Sequence, residues 1–173
     1  MLPLLPLLGS WSGLYSSVVG YHTGRGVQAE SLWGSALFIA ARRGYQTTPG
    51  FNFGAMHFSD GSAPVLKLIA LILTGAIVLA SIWVASRVPR GDLKALSSIL
   101  FTTMVLLLAV GTVFSPQFLL WLFALAAVAT SSSDSPMRLS ALMLVPIALL
   151  SQAIFPFLYE RLLTLEPLAI SML

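Results

Sequence analysis

The chain has 173 residues, no cysteine, and a formal net charge of +3 from nine Lys/Arg and six Asp/Glu. Charged residues make up 9% of it and hydrophobic residues 57%, with a mean hydropathy of +0.92. Soluble domains carry about 25% charged residues, so this composition excludes most soluble enzymes and indicates an integral membrane protein. The lack of cysteine excludes disulfide-stapled folds, Cys-ligated zinc sites and thiol nucleophiles.

The first residues, 1–8, form an apolar run with two prolines and no basic residue before it. A signal peptide has a basic region before its apolar core, so this pattern does not predict one. We expect these residues to be part of a longer protein. The basic residues are scattered and form no stripe with stacking aromatics, so nucleic acid is not an expected partner.

Residues 21–31 bring together several polar groups of different chemistry. They include His22, Arg25, Gln28 and Glu30 in an otherwise nearly uncharged chain. A guanidinium offers planar donors to a phosphate, an imidazole can donate or relay a proton, and a carboxylate can bind a sugar hydroxyl. Ionisable groups near a bilayer are functional candidates by default.

Each of these side chains also has a purely structural interpretation. Arg25 can snorkel to the membrane interface and pair with Glu30, and His22 can hydrogen-bond a neighbouring carbonyl. Glu30 can complement the dipole of a helix that begins near Val27. Gly24 and Gly26 flank Arg25, which predicts an irregular backbone able to approach a ligand closely.

The next two segments do not have an apolar run long enough to cross a membrane. Residues 27–41 contain Gln28 and Glu30 and either lie in the interface or cross with help, so their orientation stays open. Residues 44–63 are predicted as a loop whose aromatic side chains pack against something. His57 and Asp60 within it lack a third ligand, so no metal is assigned.

A helix needs about 20 apolar residues to cross the hydrocarbon layer. Uncharged runs predict helices over 68–86, 95–114, 118–130 and 139–159, the third of them short. Arg87, Arg90 and Lys94 share one loop and Arg138 lies in another, so the positive-inside rule places both loops in the cytoplasm. The turn at Ser115-Pro116-Gln117 then lies on the opposite side of the membrane.

Proline in this turn breaks the helix, frees backbone carbonyls and places Ser115 and Gln117 beside a protein-lined cavity. The alternative is a tight turn between two spans, with Trp121 in the aromatic belt at the membrane interface. The residues alone favour the tight turn.

Two motifs in this order resemble glycosyltransferases of family 87, which are GT-C-type membrane enzymes that include polyprenol-phosphate-mannose-dependent mannosyltransferases. The motifs are Tyr21-His22-x-x-Arg25-Gly26-x-Gln28-x-Glu30-Ser31 and, about eighty-five residues later, Phe114-Ser115-Pro116-Gln117-x-Leu119-x-Trp121. The resemblance covers residues 21–159 and corresponds to the carboxyl-terminal half of such an enzyme.

The resemblance implies transfer of a sugar, mannose in the first instance, from a polyprenyl-phosphate donor to a lipid or glycan acceptor. It implies a multi-pass protein of the plasma membrane whose active face is non-cytoplasmic. His22 and Arg25 are expected at the donor phosphate, where electrostatic stabilisation of the leaving group is strongest. Gln28 and Glu30 are expected to hold that site or the sugar, and Ser115 and Gln117 to line the cavity.

In such enzymes the catalytic carboxylate lies in a first large non-cytoplasmic loop, which this chain does not contain. We therefore expect a fragment that is inactive alone, with no catalytic residue assigned and no cofactor. Its fold class is all-α, a transmembrane bundle of about four to five spans plus interfacial helices. Residues 1–173 form one domain, with non-cytoplasmic loops and an interfacial helix over 9–63 and transmembrane helices over 64–159.

Two other classes remain as alternatives. A transporter or scramblase-like module also uses broken helices, but it requires polar groups across the bilayer midplane. The spans over 68–86 and 95–114 offer only small hydroxyls there. A non-catalytic assembly subunit would pair its polar groups internally and leave no cavity.

Overall fold

The computed structural model describes residues 13, 15, 20, 24–131 and 135–164 of the chain. Within them the fold is mostly helical, as predicted, with one small sheet. The helices, in chain order, are α1 (Leu32–Arg42), α2 (Ala63–Ser86), α3 (Leu93–Val110), α4 (Phe118–Ala129), α5 (Arg138–Gln152) and α6 (Tyr159–Leu163). The strands are β1 (Val27–Gln28), β2 (Gly50–Asn52) and β3 (Ala55–Phe58).

Three helices among the described residues are long and apolar enough to cross a membrane: Ala63–Ser86, Leu93–Val110 and Arg138–Phe155. Many of their large apolar side chains are exposed, among them Leu71, Leu79 and Leu149. Contiguous apolar surface of this kind suits contact with lipid rather than with water.

The other three helices, α1, α4 and α6, are shorter than a full span. With about 1.5 Å of rise per residue, the 12 residues of α4 reach about 18 Å. The segment over 27–41 is divided into strand β1, a turn and the 11-residue α1. Because α1 and α4 are this short, the described residues show three candidate spans, whereas the sequence predicts four to five.

The long helices pack in chain order, α2 against α3, α3 against α4 and α4 against α5. Helices α3, α4 and α5 share a core that includes Phe101, Leu119, Leu122, Ala126 and Leu144. The hydroxyl of Thr103 donates a 2.8 Å hydrogen bond to Ser81 Oγ between α3 and α2.

Helix α5 leads into a kinked segment of wider turns over Ala153–Leu158. Phe155 within it has extended backbone angles (φ −115°, ψ 120°), which breaks the helical path. The sequence predicts one helix over 139–159, and the kink divides this run into α5 and the short α6. Tyr159 therefore begins a separate helix.

The loop that the sequence predicts over 44–63 contains strands β2 and β3, which form a three-stranded antiparallel sheet with β1. The strands lie in the order β1-β3-β2, with Gln28 opposite His57 and Phe51 opposite Met56. Phe53 and Gly54 both have positive φ, as a two-residue type I′ hairpin turn requires. The aromatic residues of this segment do pack, with Phe58 buried against the ring of Phe38 at 5.0 Å between centroids.

The sheet and α1 are fixed to the end of α3 that precedes the Pro116 turn. The backbone N–H of Gln28 donates to the carbonyl of Thr112 at 2.9 Å, and Trp33 Nε1 donates to the carbonyl of Val110 at 2.7 Å. A second core beneath them contains Val27, Leu37, Phe38, Phe58 and Leu162. This docking brings the polar segment after β1 to the same end of the bundle as Ser115 and Gln117.

Candidate functional site

A cavity of about 730 Å³ lies where the sheet meets the helix bundle. Four of the predicted site residues line it, Gln28 and Glu30 from the β1–α1 connection and Ser115 and Gln117 from the α3–α4 turn. We call it the acceptor cavity, since two buried oxygen acceptors lie in its wall. The rest of its lining includes Phe51, Met56, Pro116, Gln152, Phe155 and Tyr159.

The β1–α1 connection holds Gln28 and Glu30 in place through backbone hydrogen bonds. The N–H of Ala29 donates to the carbonyl of Met56 at 2.9 Å. Ser31 closes the turn, because its hydroxyl donates to the carbonyl of Gln28 at 2.7 Å. The same hydroxyl accepts from the N–H of Gly34 at 3.1 Å and so caps the start of α1. The two side chains thus stand on a fixed backbone.

Two acceptors in this wall have no hydrogen-bond partner among the described residues. They are Gln28 Oε1 and Glu30 Oε2, both of them buried atoms. Only 6% of the Gln28 surface is exposed. A buried polar atom without a partner costs about 1–3 kcal/mol, so each of them favours a molecule in the cavity that donates a hydrogen bond.

The second oxygen of Glu30 is held by a residue that the sequence analysis does not select. The hydroxyl of Tyr159 donates to Glu30 Oε1 at 2.7 Å, across 129 positions of the chain. Burial, and then the hydrogen bond to the Glu30 carboxylate and its charge, raise the pKa of Tyr159 well above its usual range. No sequence signal links the two, because Tyr159 ends an apolar run and has the pattern of an interfacial aromatic.

Glu30 also borders a smaller cavity of about 210 Å³, which has mainly apolar walls. Its lining includes Phe114, Ile147, Leu150, Ile154 and Leu162. Phe155, Pro116 and Glu30 belong to both cavities. Polar and apolar surface therefore meet at Glu30.

Arg25 lines a different cavity from the other predicted residues. This cavity, of about 290 Å³, also includes Ser59 and Lys67, and we call it the cationic cavity. Lys67 Nζ donates to the backbone carbonyl of Arg25 at 2.8 Å. Two cations at one opening suit an anionic group such as a phosphate.

His57 lies opposite Gln28 in the sheet and hydrogen-bonds to Arg25, which lines the cationic cavity. Arg25 Nε donates to His57 Nε2 at 3.4 Å, and His57 Nδ1 lies 3.1 Å from the carbonyl of Ala55. This pairing requires the neutral tautomer with its proton on Nδ1. Burial, together with the charge of Arg25, keeps the pKa of His57 below its ordinary value, although the Ala55 carbonyl acts in the opposite direction.

The glycines around Arg25 have a structural explanation. A Cβ on Gly26 would lie 2.2 Å from the carbonyl oxygen of Phe58, so glycine is needed there for β1 to approach β3. The close approach predicted for a ligand at this position is therefore made by the chain itself.

His22 lies outside the described residues, so its position relative to Arg25 is not described. His57 and Asp60, which the sequence leaves without a metal, bond to other groups. Asp60 accepts hydrogen bonds from the hydroxyls of Thr47 and Ser62. Burial alone would raise the pKa of Asp60, but these bonds hold it below its ordinary value. No group of three or more potential metal ligands occurs in the described part of the chain.

Comparisons with models of protein families, with curated proteins and with solved structures gave no match to this chain. The acceptor cavity favours hydrogen-bond donors such as hydroxyls, and the cationic cavity favours an anion.

Proposed function

We propose that the chain is part of a GT-C-type membrane glycosyltransferase that binds a sugar, mannose in the first instance, linked to a polyprenyl phosphate. The observation that carries this proposal is the convergence of Gln28, Glu30, Ser115 and Gln117 on one cavity. These residues come from two motifs about eighty-five positions apart, and both motifs resemble the same enzyme family. Transfer to a lipid or glycan acceptor belongs to the proposal.

The two cavities suit the two halves of such a donor. The acceptor cavity offers Gln28 and Glu30 to the hydroxyls of a sugar, and Arg25 and Lys67 offer positive charge to the phosphate. His57 bonds to Arg25 and lies opposite Gln28 in the sheet, so it connects the two cavities. Apolar walls beside Glu30 supply the surface that a lipid-linked ligand needs. We propose that His22 belongs to the phosphate site.

The cavity with unpartnered acceptors favours a ligand-binding protein over an assembly subunit, in which polar groups would be paired internally. It also favours an enzyme of the interface over a transporter. The polar groups lie at one end of the bundle, whereas α2 and α3 bring only the hydroxyls of Ser81 and Thr103 together in their middle.

We further propose four helical passes, with the site on the non-cytoplasmic face of the plasma membrane. Helix α5 is a candidate span that ends near Tyr159, beside Glu30, so Arg138 at its start lies at the far end of the bundle. The chain from Gln117 to Arg138 must return to that end, which makes α4 the fourth pass. The loop with Arg87, Arg90 and Lys94 lies at the same far end, where the positive-inside rule places the cytoplasm.

The test is binding, because the catalytic carboxylate of the proposed enzyme is not assigned. The purified chain in lipid nanodiscs is titrated with polyprenyl-phosphate-mannose, and the bound fraction is measured by native mass spectrometry. Gln117→Ala removes one cavity side chain and is expected to weaken binding about three- to tenfold, since one hydrogen bond contributes about 0.5–1.5 kcal/mol.

The matched control is Gln46→Ala, because Gln46 is an exposed glutamine outside the cavity lining. This variant is expected to bind like the wild type. Absence of binding by the wild-type chain, or equal binding by Gln117→Ala and the wild type, would contradict the proposal.

A further inference from the structure

The wall of the acceptor cavity has an unusual hydrogen-bond balance. Gln28 Oε1 and Glu30 Oε2 are buried acceptors without a partner among the described residues. The other Glu30 oxygen already accepts from Tyr159. A molecule that satisfies this wall must donate at least two hydrogen bonds, one of them to a carboxylate.

This requirement selects between chemical classes of ligand. A phosphate or a carboxylate offers acceptors and a negative charge, and Glu30 would repel it. A hydroxyl donates readily to a carboxylate oxygen and to an amide oxygen. The remaining lining combines the polar groups of Ser115 and Gln117 with the apolar surface of Phe155, a mixture suited to the hydroxyls and C–H groups of a sugar ring.

We infer that Gln28 and Glu30 form a carbohydrate-hydroxyl subsite, distinct from the phosphate-binding groups, and that Tyr159 is its positioning residue. This inference rests on the proposed function and adds which oxygen atoms accept from the sugar hydroxyls and which residue holds the carboxylate in position. In this subsite, one sugar hydroxyl donates to Glu30 Oε2 and a second donates to Gln28 Oε1.

Tyr159 sets the position of the carboxylate through its hydroxyl, which donates to Glu30 Oε1. The turn that carries Glu30 is itself tied to β3, because the N–H of Ala29 donates to the carbonyl of Met56. Since the phenol takes Oε1, Oε2 is the carboxylate oxygen that has no partner among the described residues.

The experiment compares three probes on the whole chain in lipid nanodiscs: polyprenyl-phosphate-mannose, polyprenyl phosphate of the same chain length, and an octyl mannoside without phosphate. The wild-type chain is expected to bind the sugar-bearing phosphate at least tenfold more tightly than the bare phosphate. In Glu30→Gln and Tyr159→Phe this preference is expected to fall to less than threefold, with no loss of affinity for bare polyprenyl phosphate. Octyl mannoside binding is expected to weaken in both variants.

Matched controls separate this role from general effects on folding. Glu160→Gln changes an exposed glutamate next to Tyr159, and Tyr45→Phe removes the hydroxyl of an exposed tyrosine. Both are expected to keep the wild-type preference. If the role of Tyr159 were merely structural, Tyr159→Phe would weaken binding of the bare phosphate as strongly as binding of the sugar-bearing phosphate. That result would overturn the inference.

The outcomes also separate this inference from the proposed function. Equal wild-type affinity for the two phosphate lipids overturns the hydroxyl subsite while the lipid-phosphate site stands. A wild-type chain that binds neither phosphate lipid overturns the proposed function. A sugar preference that survives in Glu30→Gln overturns the assignment of Glu30.

Discussion

The indole Nε1 of Trp33 donates a 2.7 Å hydrogen bond to the carbonyl oxygen of Val110, 77 positions later in the chain. This carbonyl lies in the last turn of α3, where the carbonyls have no partner within the helix. The bond ties α1 to the end of α3, and the N–H of Gln28 makes a second tie to Thr112. The acceptor cavity depends on this junction, because its two motifs meet there.

Trp33→Phe is therefore expected to destabilise the fold while retaining an aromatic ring. Loss of one hydrogen bond to a partly buried carbonyl costs about 1 kcal/mol. Thermal unfolding in detergent micelles is expected to show a lower Tm than for the wild type. Trp121→Phe is the control, since 55% of the Trp121 surface is exposed. An equal fall of Tm in both variants would show that the Trp33 bond contributes nothing specific.

Gly34 tests the close packing of α1 on the segment that carries the site. A Cβ at this position would lie 2.3 Å from the carbonyl oxygen of Gln28 and 2.5 Å from that of Ala29. Both atoms belong to backbone, so the Gln28–Glu30 turn must shift in Gly34→Ala. Overpacking of this kind costs about 1–3 kcal/mol. We expect a lower Tm and weaker binding of polyprenyl-phosphate-mannose.

Gly75→Ala is the matched control for this substitution. Gly75 also lies in a helix, but a Cβ there meets no atom within 4 Å. Alanine is the better helix former by about 1 kcal/mol, so a neutral or higher Tm is expected. If Gly34→Ala were as stable as Gly75→Ala, the α1 junction would be looser than the structure shows.

The sequence predicts the helical parts of this fold better than the sheet. Uncharged apolar runs mark α2, α3 and α4 to within a few residues, because lipid-facing helices need apolar side chains all round. The sheet is missed because β1 and β3 have only two and four residues, too short for an alternating pattern. Their hydrogen bonds come from pairing between segments that local sequence does not connect.

The candidate site is predicted in the same uneven way. Gln28, Glu30, Ser115 and Gln117 stand out as polar residues in apolar surroundings, and the structure brings them to one cavity. Arg25 stands out equally but lines another cavity, because β1 begins just after it and pairs with β3. Tyr159 gives no signal, since its role depends on the kink at Phe155 and on a contact 129 positions away.

His57 predicts a loss of stability in acid. Its pKa in the folded chain lies below the ordinary value of 6.5, so below that pH the unfolded chain binds more protons. The contribution of His57 to the free energy of unfolding is therefore fully present above about pH 6.5. It is lost as the pH drops through the pKa of His57 in the folded chain. Tm measured across this range is expected to decrease in acid for the wild type and to change much less for His57→Gln.

Asp60 does not interfere with this measurement. Its pKa is also lowered by folding, but its ordinary value is 3.8, so its loss of stability occurs at lower pH. The same acid dependence in His57→Gln as in the wild type, between about pH 6.5 and pH 5, would contradict the assignment to His57.

The contact between Tyr159 and Glu30 predicts an abnormal tyrosine titration. The chain has four tyrosines, and subtracting the ultraviolet absorbance titration of Tyr159→Phe from that of the wild type isolates one phenol. Because burial and the Glu30 carboxylate both favour its protonated form, Tyr159 is expected to ionise at higher pH than a tyrosine with the ordinary pKa of about 10. Glu30→Gln removes the charge and keeps the burial, so the pKa of Tyr159 is expected to fall part of the way back. Glu160→Gln, which changes an exposed carboxylate one position away, is expected to leave the titration unchanged. If Tyr159 ionised at the ordinary pKa of tyrosine, about 10, in the wild type, the hydrogen bond to Glu30 would be absent, and the proposed position of the carboxylate would be wrong.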